Sequence, residues 1–216
     1  MSRIHQLKHL LPSSIRPTAL AFYRVLPNRV HFSRVYRENL WYGDESRSGP
    51  GSTLAVTAGL RPQLVALLRS LGVTVLVDAG CGDFNWMRHA DLDGIQYIGI
   101  DVVPGVIREL RKRHQAPGRS FRLGEITRGL PRGDLVLCRQ ALQHLPDRDV
   151  LRFLKCVRSS GARHLLATTS PDVTANIDTH RGGYRRLNLE KTPFSLPPPL
   201  KLLDDCDSPI GLWRIG

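Results

Sequence analysis

From Thr74 onward, short β-branched and apolar runs alternate with stretches whose apolar residues recur at helical spacing. That alternation predicts a parallel sheet wrapped by helices, an α/β domain. The first strand reads T-V-L-V-D-A-G, Thr74 to Gly80, and the second reads Q-Y-I-G-I-D-V, Gln96 to Val102. Pro104 follows where a first helical turn accepts proline, and Val106, Ile107 and Leu110 then share one helical face. A third strand covers about Ser120 to Ile126 and a fourth Asp134 to Cys138, with the turn-rich R-G-L-P-R-G between them. Asp147 caps a helix carrying Val150, Leu151, Leu154 and Val157 at helical spacing. The fifth strand, His164 to Thr169, is apolar enough to lie centrally, covered on both faces.

The flanks are less regular. Ser52 or Thr53 is positioned to cap a helix running toward Leu71, with Gly72 just past its end, and Pro62 predicts a kink or a restart. After Pro171 the periodicity fails, and Gly182, Gly183, Pro193 and Pro197 to Pro199 predict long ordered loops on the substrate side. Gly211 to Ile215, G-L-W-R-I, supplies a last strand, antiparallel to its neighbours. A length of 216 residues fits one compact domain. We divide it into a basic arm over residues 1–40 and a ligand-binding domain over 41–216.

Charge changes that picture at the N-terminus. The formal net charge is +12, and the first 37 residues hold Arg3, Lys8, Arg16, Arg24, Arg29, Arg34 and Arg37 with no acid before Glu38. Such a segment reads as a basic arm over the fold, or as a mitochondrial presequence, although Pro12, Pro17 and Pro27 would interrupt one long helix. The basic balance also admits nucleic acid, anionic lipid or an acidic small substrate as partner. No apolar run reaches the roughly 18 residues needed to cross a bilayer. Cys81, Cys138, Cys156 and Cys206 are widely spaced, without a C-x-x-C pair or a histidine pattern for zinc, so a reducing, cytoplasmic compartment and no metal are expected.

The chemistry concentrates in V-D-A-G-C-G-D-F-N-W-M, Val77 to Met87, where a strand gives way to a helix. Gly80 and Gly82 allow a sharp turn that brings backbone groups against a ligand. Asp101 ends the second strand, about 20 residues beyond that turn, where a carboxylate can accept from both ribose hydroxyls. Glu125 ends the third strand and can accept from an adenine amino group. A dinucleotide would want a third glycine where Asn85 stands, and Asp78 would repel a pyrophosphate. The charge layout suits a ligand with an ammonium at one end and a nucleoside at the other, as in S-adenosylmethionine.

On these motifs the chain resembles a class I S-adenosylmethionine-dependent methyltransferase over roughly Leu71 to Thr169. The segments E-S-R-S-G-P-G-S-T, L-V-L-C-R-Q-A-L-Q-H-L and R-R-L-N-L-E-K-T-P-F-S-L-P are similar to an uncharacterised bacterial subgroup of that family. The resemblance implies a Rossmann-like sheet of seven mostly parallel strands, helices on both faces, and an antiparallel last strand. It implies that the turn of Asp78, Gly80 and Gly82 holds the methionine part, Asp101 the ribose, and Glu125 with Ile126 the adenine. Cys81, Asp83, Val102, Cys138 and Arg139 complete the candidate cofactor contacts. Phe84 departs from the family, standing where a third glycine is common.

The resemblance also places His144 near the transferred methyl, where an imidazole can take a proton at neutral pH. Arg181, Arg185 and Arg186 flank Tyr184 and form a candidate arginine fork for an anionic group on the substrate. Trp41, Tyr42 and Trp86 are candidate covers for the nucleoside. Asn176, Asp178 and His180 are oxygen-rich but read as a loop. The implied reaction is methylation of oxygen or nitrogen on a small or glycan-like acceptor. Two rivals remain: an RNA or DNA methyltransferase, which the charge favours but the C-R-Q-A segment does not, and a non-catalytic nucleotide-binding protein with a membrane-surface arm.

Overall fold

The computed structural model describes residues 27–215. The expectations for Arg3, Lys8, Arg16 and Arg24, and for a presequence, therefore lie outside the described residues. Helix α1 spans Asn28–Glu38 and helix α2 Leu60–Ser70. Then come β1 (Val75–Ala79), β2 (Gln96–Asp101), helix α3 (Pro104–His114), β3 (Arg119–Leu123), β4 (Leu135–Cys138), helix α4 (Asp147–Ser159) and β5 (His164–Thr168). The chain closes with β6 (Lys201–Leu203) and β7 (Ile210–Arg214). One seven-stranded sheet has the order β3-β2-β1-β4-β5-β7-β6. β1 to β5 run parallel, and β7 is antiparallel to both β5 and β6.

β1, β2, β4 and β5 are buried on both faces because both faces of the sheet's centre are covered. Leu76, Leu135, Leu137 and Leu166 point into a core with Leu60, Leu64 and Leu68 of α2 and Ile107 and Leu110 of α3. Val77, Val136, Cys138, Leu165 and Ala167 point into the opposite core, with Val150, Phe153 and Leu154 of α4 and with Leu187, Leu189 and Phe194 from the loops. The chain reverses direction in the sheet between β1 and β4, whose connections leave toward opposite edges, and this opens a crevice at the carboxyl ends.

Several boundaries differ from expectation. The helix expected from Ser52 or Thr53 starts only at Leu60, so Pro62 sits in its first turn, where it costs no hydrogen bond and makes no kink. Asp147 is the first residue of α4 and not its cap; Pro146 occupies the capping position, and the Asp147 amide donates to Asp178 Oδ1 at 2.8 Å. Leu151 faces solvent, and Phe153 takes its place in the buried stripe. The third strand ends at Leu123, leaving Gly124, Glu125 and Ile126 as backbone that bends toward the crevice.

Candidate active site

A cleft at the carboxyl ends of β1, β2 and β4 holds about 920 Å³ of empty space, including the part open to solvent. Its floor is the turn after β1. Gly80 and Gly82 have φ of +86° and +57°, the left-handed region that side chains oppose. A Cβ on Gly82 would stand 2.3 Å from Ser48 Oγ and 2.9 Å from Tyr36 Oη. The amides of Gly80 and Cys81 both donate to Ile100 O at 2.9 Å, which pins the turn to β2. Phe84 also takes a positive φ, +61°, so the turn keeps its course without the third glycine. Such a residue costs about 1–3 kcal/mol. Here its ring is buried against Tyr97 and Phe121, with centroids 5.0 and 5.1 Å away, and that burial offsets the strain.

Asp83 lines the cleft and also ties down its rim, accepting from Ser46 Oγ, Ser48 Oγ and the Arg47 amide at 2.8–3.0 Å. Asp101 accepts from the Gly82 amide through Oδ2 at 3.1 Å and from the Val103 amide through Oδ1 at 2.9 Å. Each carboxylate oxygen keeps further lone-pair capacity for a ligand. Burial pushes Asp101 up to about 6, against the pull of those amides. Asp78 is pushed up to about 7, again by burial, although it accepts a hydrogen bond from Tyr97 Oη at 2.6 Å. Glu125 accepts from Asn28 Nδ2 at 2.8 Å and Thr127 Oγ1 at 3.1 Å, and pairs with Arg128 at 3.2 Å.

His144 closes the other end, on the short helical turn Leu142–His144 after β4. Its Nδ1 lies 2.8 Å from Gly183 O, and its own carbonyl accepts from the Gly182 amide at 2.8 Å. A carbonyl only accepts, so Nδ1 must carry the proton and Nε2 is left with the lone pair. Burial lowers the His144 pKa, keeping the ring neutral near pH 7. The Trp41 ring packs on it at 5.1 Å and Tyr184 at 5.7 Å.

The structure brings Asp78, Gly80, Cys81, Gly82, Asp83, Asp101, Val102, Glu125, Ile126, Arg139 and His144 to one cleft, with Trp41 and Trp86. Cys138 is buried beneath it, in the core under α4. Arg139 is held bidentately by Asp205, through Nε at 2.8 Å and Nη2 at 2.7 Å, and lies over the Trp86 ring.

The arginine fork is not assembled. Arg181 pairs with Asp149 at 3.0 Å, Arg185 with Asp147 at 2.5 Å and Arg186 with Asp172 at 2.5 Å. These guanidiniums fasten the loop after Pro171 to α4 and to itself, because an arginine buried or half-buried beside an aspartate is best satisfied there. Tyr184 is 55 % exposed at the rim. Tyr42 is exposed and lies off the cleft. Asn176 donates to the carbonyls of Asn188 and Thr192, and Asp178 pairs with Arg185, so these residues serve the loop.

Asn28, Phe32 and Tyr36 of α1, with Ser48 and Ser52, line the same cleft and were missed in the sequence. Their signal is the spacing i, i+4, i+8, one face of a helix; the density of arginines and prolines around it masks that face.

Residues 76–164 match the family described as a methyltransferase domain. A search of curated proteins finds no match. Among solved structures, the chain is similar to Burkholderia thailandensis 1,6-didemethyltoxoflavin-N1-methyltransferase, at 16 % identity and TM-score 0.61, covering 92 % of this chain and 89 % of that one. It is similar to human N-acetylserotonin methyltransferase at 14 % identity and TM-score 0.61, over 88 % and 60 %. It is also similar to the Synechocystis magnesium protoporphyrin IX methyltransferase, at 17 % identity and TM-score 0.50, over 68 % and 72 %. Likeness at such identities speaks for the fold.

Proposed function

We propose that this chain, whose residues 76–164 match a methyltransferase domain, is a class I methyltransferase that transfers a methyl group from S-adenosylmethionine to oxygen or nitrogen of a small-molecule acceptor. The observation that carries this reading is the shared cleft of the glycine turn, Asp101 and His144. The residues fit the cofactor. Gly80 and Gly82 bend the cleft floor where a Cβ would strike Ala141 or Ser48 and Tyr36, and Asp78 is a buried carboxylate that lines the same cleft beside the turn. The solved relatives from Burkholderia thailandensis and Synechocystis were crystallised with S-adenosylhomocysteine.

When bound, S-adenosylmethionine supplies an electrophilic methyl carbon on a sulfonium. Asp101 accepts the ribose hydroxyls, Asp78 takes the ammonium, and Ile126 and Glu125 flank the adenine. Phe32, Trp41 and Trp86 line the cleft with aromatic surface. His144 Nε2 receives the proton that the acceptor's hydroxyl or N–H gives up, and the Gly183 carbonyl keeps the ring in the tautomer that can accept it. Orientation of the acceptor supplies the rest of the barrier reduction.

The relatives' names speak of toxoflavin, serotonin and porphyrin compounds, which supports a small acceptor here. Arg139 and the tail arginines each hold an aspartate, which supports an uncharged acceptor over a phosphate or a nucleic acid. No helix among the described residues is long and apolar enough to cross a membrane, and the widely spaced cysteines support a cytoplasmic setting.

Titration calorimetry with S-adenosylhomocysteine on the full chain tests the reading. Stoichiometric binding that Asp101→Ala abolishes is expected. Heat indistinguishable from buffer, or an unchanged affinity in Asp101→Ala, would remove the proposed site.

A further inference from the structure

Glu125, the adenine contact that its sequence position implies, is already engaged at both carboxylate oxygens. Its Oε1 already accepts from Asn28 Nδ2 at 2.8 Å and from Thr127 Oγ1 at 3.1 Å, and Oε2 faces Arg128. The group presented beside it is the amide of Asn28, on the first residue of α1, which lines the cleft while only 3 % exposed. Its Oδ1 is buried and has no hydrogen-bond partner among the described residues. An unpartnered buried carbonyl costs about as much as a lost hydrogen bond, so a fold keeps one where something else completes it.

The orientation of that amide is decided by Glu125. A carboxylate only accepts, so it must face the NH2 and not the carbonyl. One N–H is thereby used, and a second N–H and the free Oδ1 remain. A donor and an acceptor side by side match the edge of a 6-aminopurine whose amino group donates next to the accepting N1; asparagine makes the equivalent bidentate pair with adenine N6 and N7. A 6-oxopurine presents the opposite order, a carbonyl beside a protonated ring nitrogen.

Resting on the cofactor reading above, we propose that Asn28 is the residue that recognises the adenine edge, and that Glu125 acts through it by holding the amide in register. Helix α1 thus serves as the purine-selective wall of the cleft. Discrimination is strong in such a site because the wrong purine leaves two buried polar groups of the protein unpaired.

The test compares S-adenosylhomocysteine with its 6-oxo counterpart, S-inosylhomocysteine, by titration calorimetry on the wild-type chain and on Asn28→Ala. The wild type should prefer the amino ligand by about tenfold or more, as expected for one bidentate pair. In Asn28→Ala that ratio should collapse to within about threefold. Both ligands are measured on the same folded protein, so any loosening of α1 cancels from the ratio. A wild-type chain that binds the two ligands equally would overturn the assignment before any variant is made. So would an undiminished ratio in Asn28→Ala, or an equal weakening of both ligands, which is what a merely structural residue gives. Failure of the wild type to bind S-adenosylhomocysteine at all would instead take down the cofactor reading, and this proposal with it.

Discussion

Tyr97 on β2 donates a 2.6 Å hydrogen bond to Asp78 Oδ2 on the neighbouring strand β1, and both residues are buried. The bond stabilises the ionised carboxylate while desolvation opposes it, and desolvation wins, leaving Asp78 at about 7. A buried acid on this balance point responds to a cation arriving in the cleft.

Affinity for ligands with an ammonium should therefore rise with pH. Asp78 at about 7 and Asp101 at about 6 both lie above the ordinary 3.8, so the folded protein keeps protons that the unfolded chain has released. Their contribution to stability is thus lost as pH climbs from about 4 toward 7. An incoming ammonium favours ionised Asp78 and expels its proton, so S-adenosylhomocysteine should bind more tightly up to about pH 7 and level off above it. The fragment 5′-methylthioadenosine, which lacks the ammonium, should level off lower, near 6, following Asp101. Tyr97→Phe keeps the packing on Phe84 and Phe121 but removes a bond to the charged form, so it should move the plateau for S-adenosylhomocysteine upward. Calorimetry between pH 5.5 and 8.5 reads all three, and identical pH profiles for the two ligands would contradict the placement of Asp78.

Gly82→Ala should damage binding and stability together. The new methyl would collide with Ser48 Oγ and Tyr36 Oη and force a positive φ on alanine. A loss of about 1–3 kcal/mol in chemical denaturation is expected, with affinity for S-adenosylhomocysteine reduced at least in proportion. A variant as stable as the parent would mean that the turn is not confined as described.

Arg139→Met should cost about 3–5 kcal/mol, since it strands the carboxylate of Asp205, whose side chain is fully buried. Arg139→Met combined with Asp205→Leu should regain much of that loss by leaving no charge uncompensated. Urea melts of the two variants decide the matter; a double variant no better than the single would show that the pair is needed for more than mutual neutralisation.

His144→Gln should leave S-adenosylhomocysteine binding nearly unchanged and reduce turnover by about 10²–10⁴-fold, the range for losing a general base. The acceptor for this assay is to be found by incubating small-molecule pools with deuteromethyl donor and reading the mass shift. Because burial lowers the His144 pKa, wild-type turnover should be flat around neutrality and fall only below the ordinary histidine range. Full activity in the glutamine variant would exclude His144 as the proton acceptor.

Much of this site was legible in the sequence because it depends on short-range order. A strand ending in D-A-G-C-G has its turn residues within five positions, Asp101 ends the next strand, and Glu125 stands two residues past the end of the one after it. Alternating periodicity assigned five parallel strands for the same reason. The segments that escaped are those whose role depends on a distant partner. The tail arginines have the same chemistry whether they meet a substrate or an aspartate, and only the placement of α4 beside the loop gave Asp147 and Asp149 to Arg185 and Arg181. Helix α1 looked like an unattached basic arm because its cleft-facing residues, Asn28, Phe32 and Tyr36, are spread among charges that face solvent.

The sequence by itself determined the layered α/β fold, the glycine turn and the acidic strand end at Asp101, since hydrophobic period and backbone permissiveness act over a few residues. The tertiary structure alone decided which polar groups are left over for a ligand. Whether Arg139, Arg181 or Arg185 finds its partner inside the protein depends on elements that lie dozens of positions away.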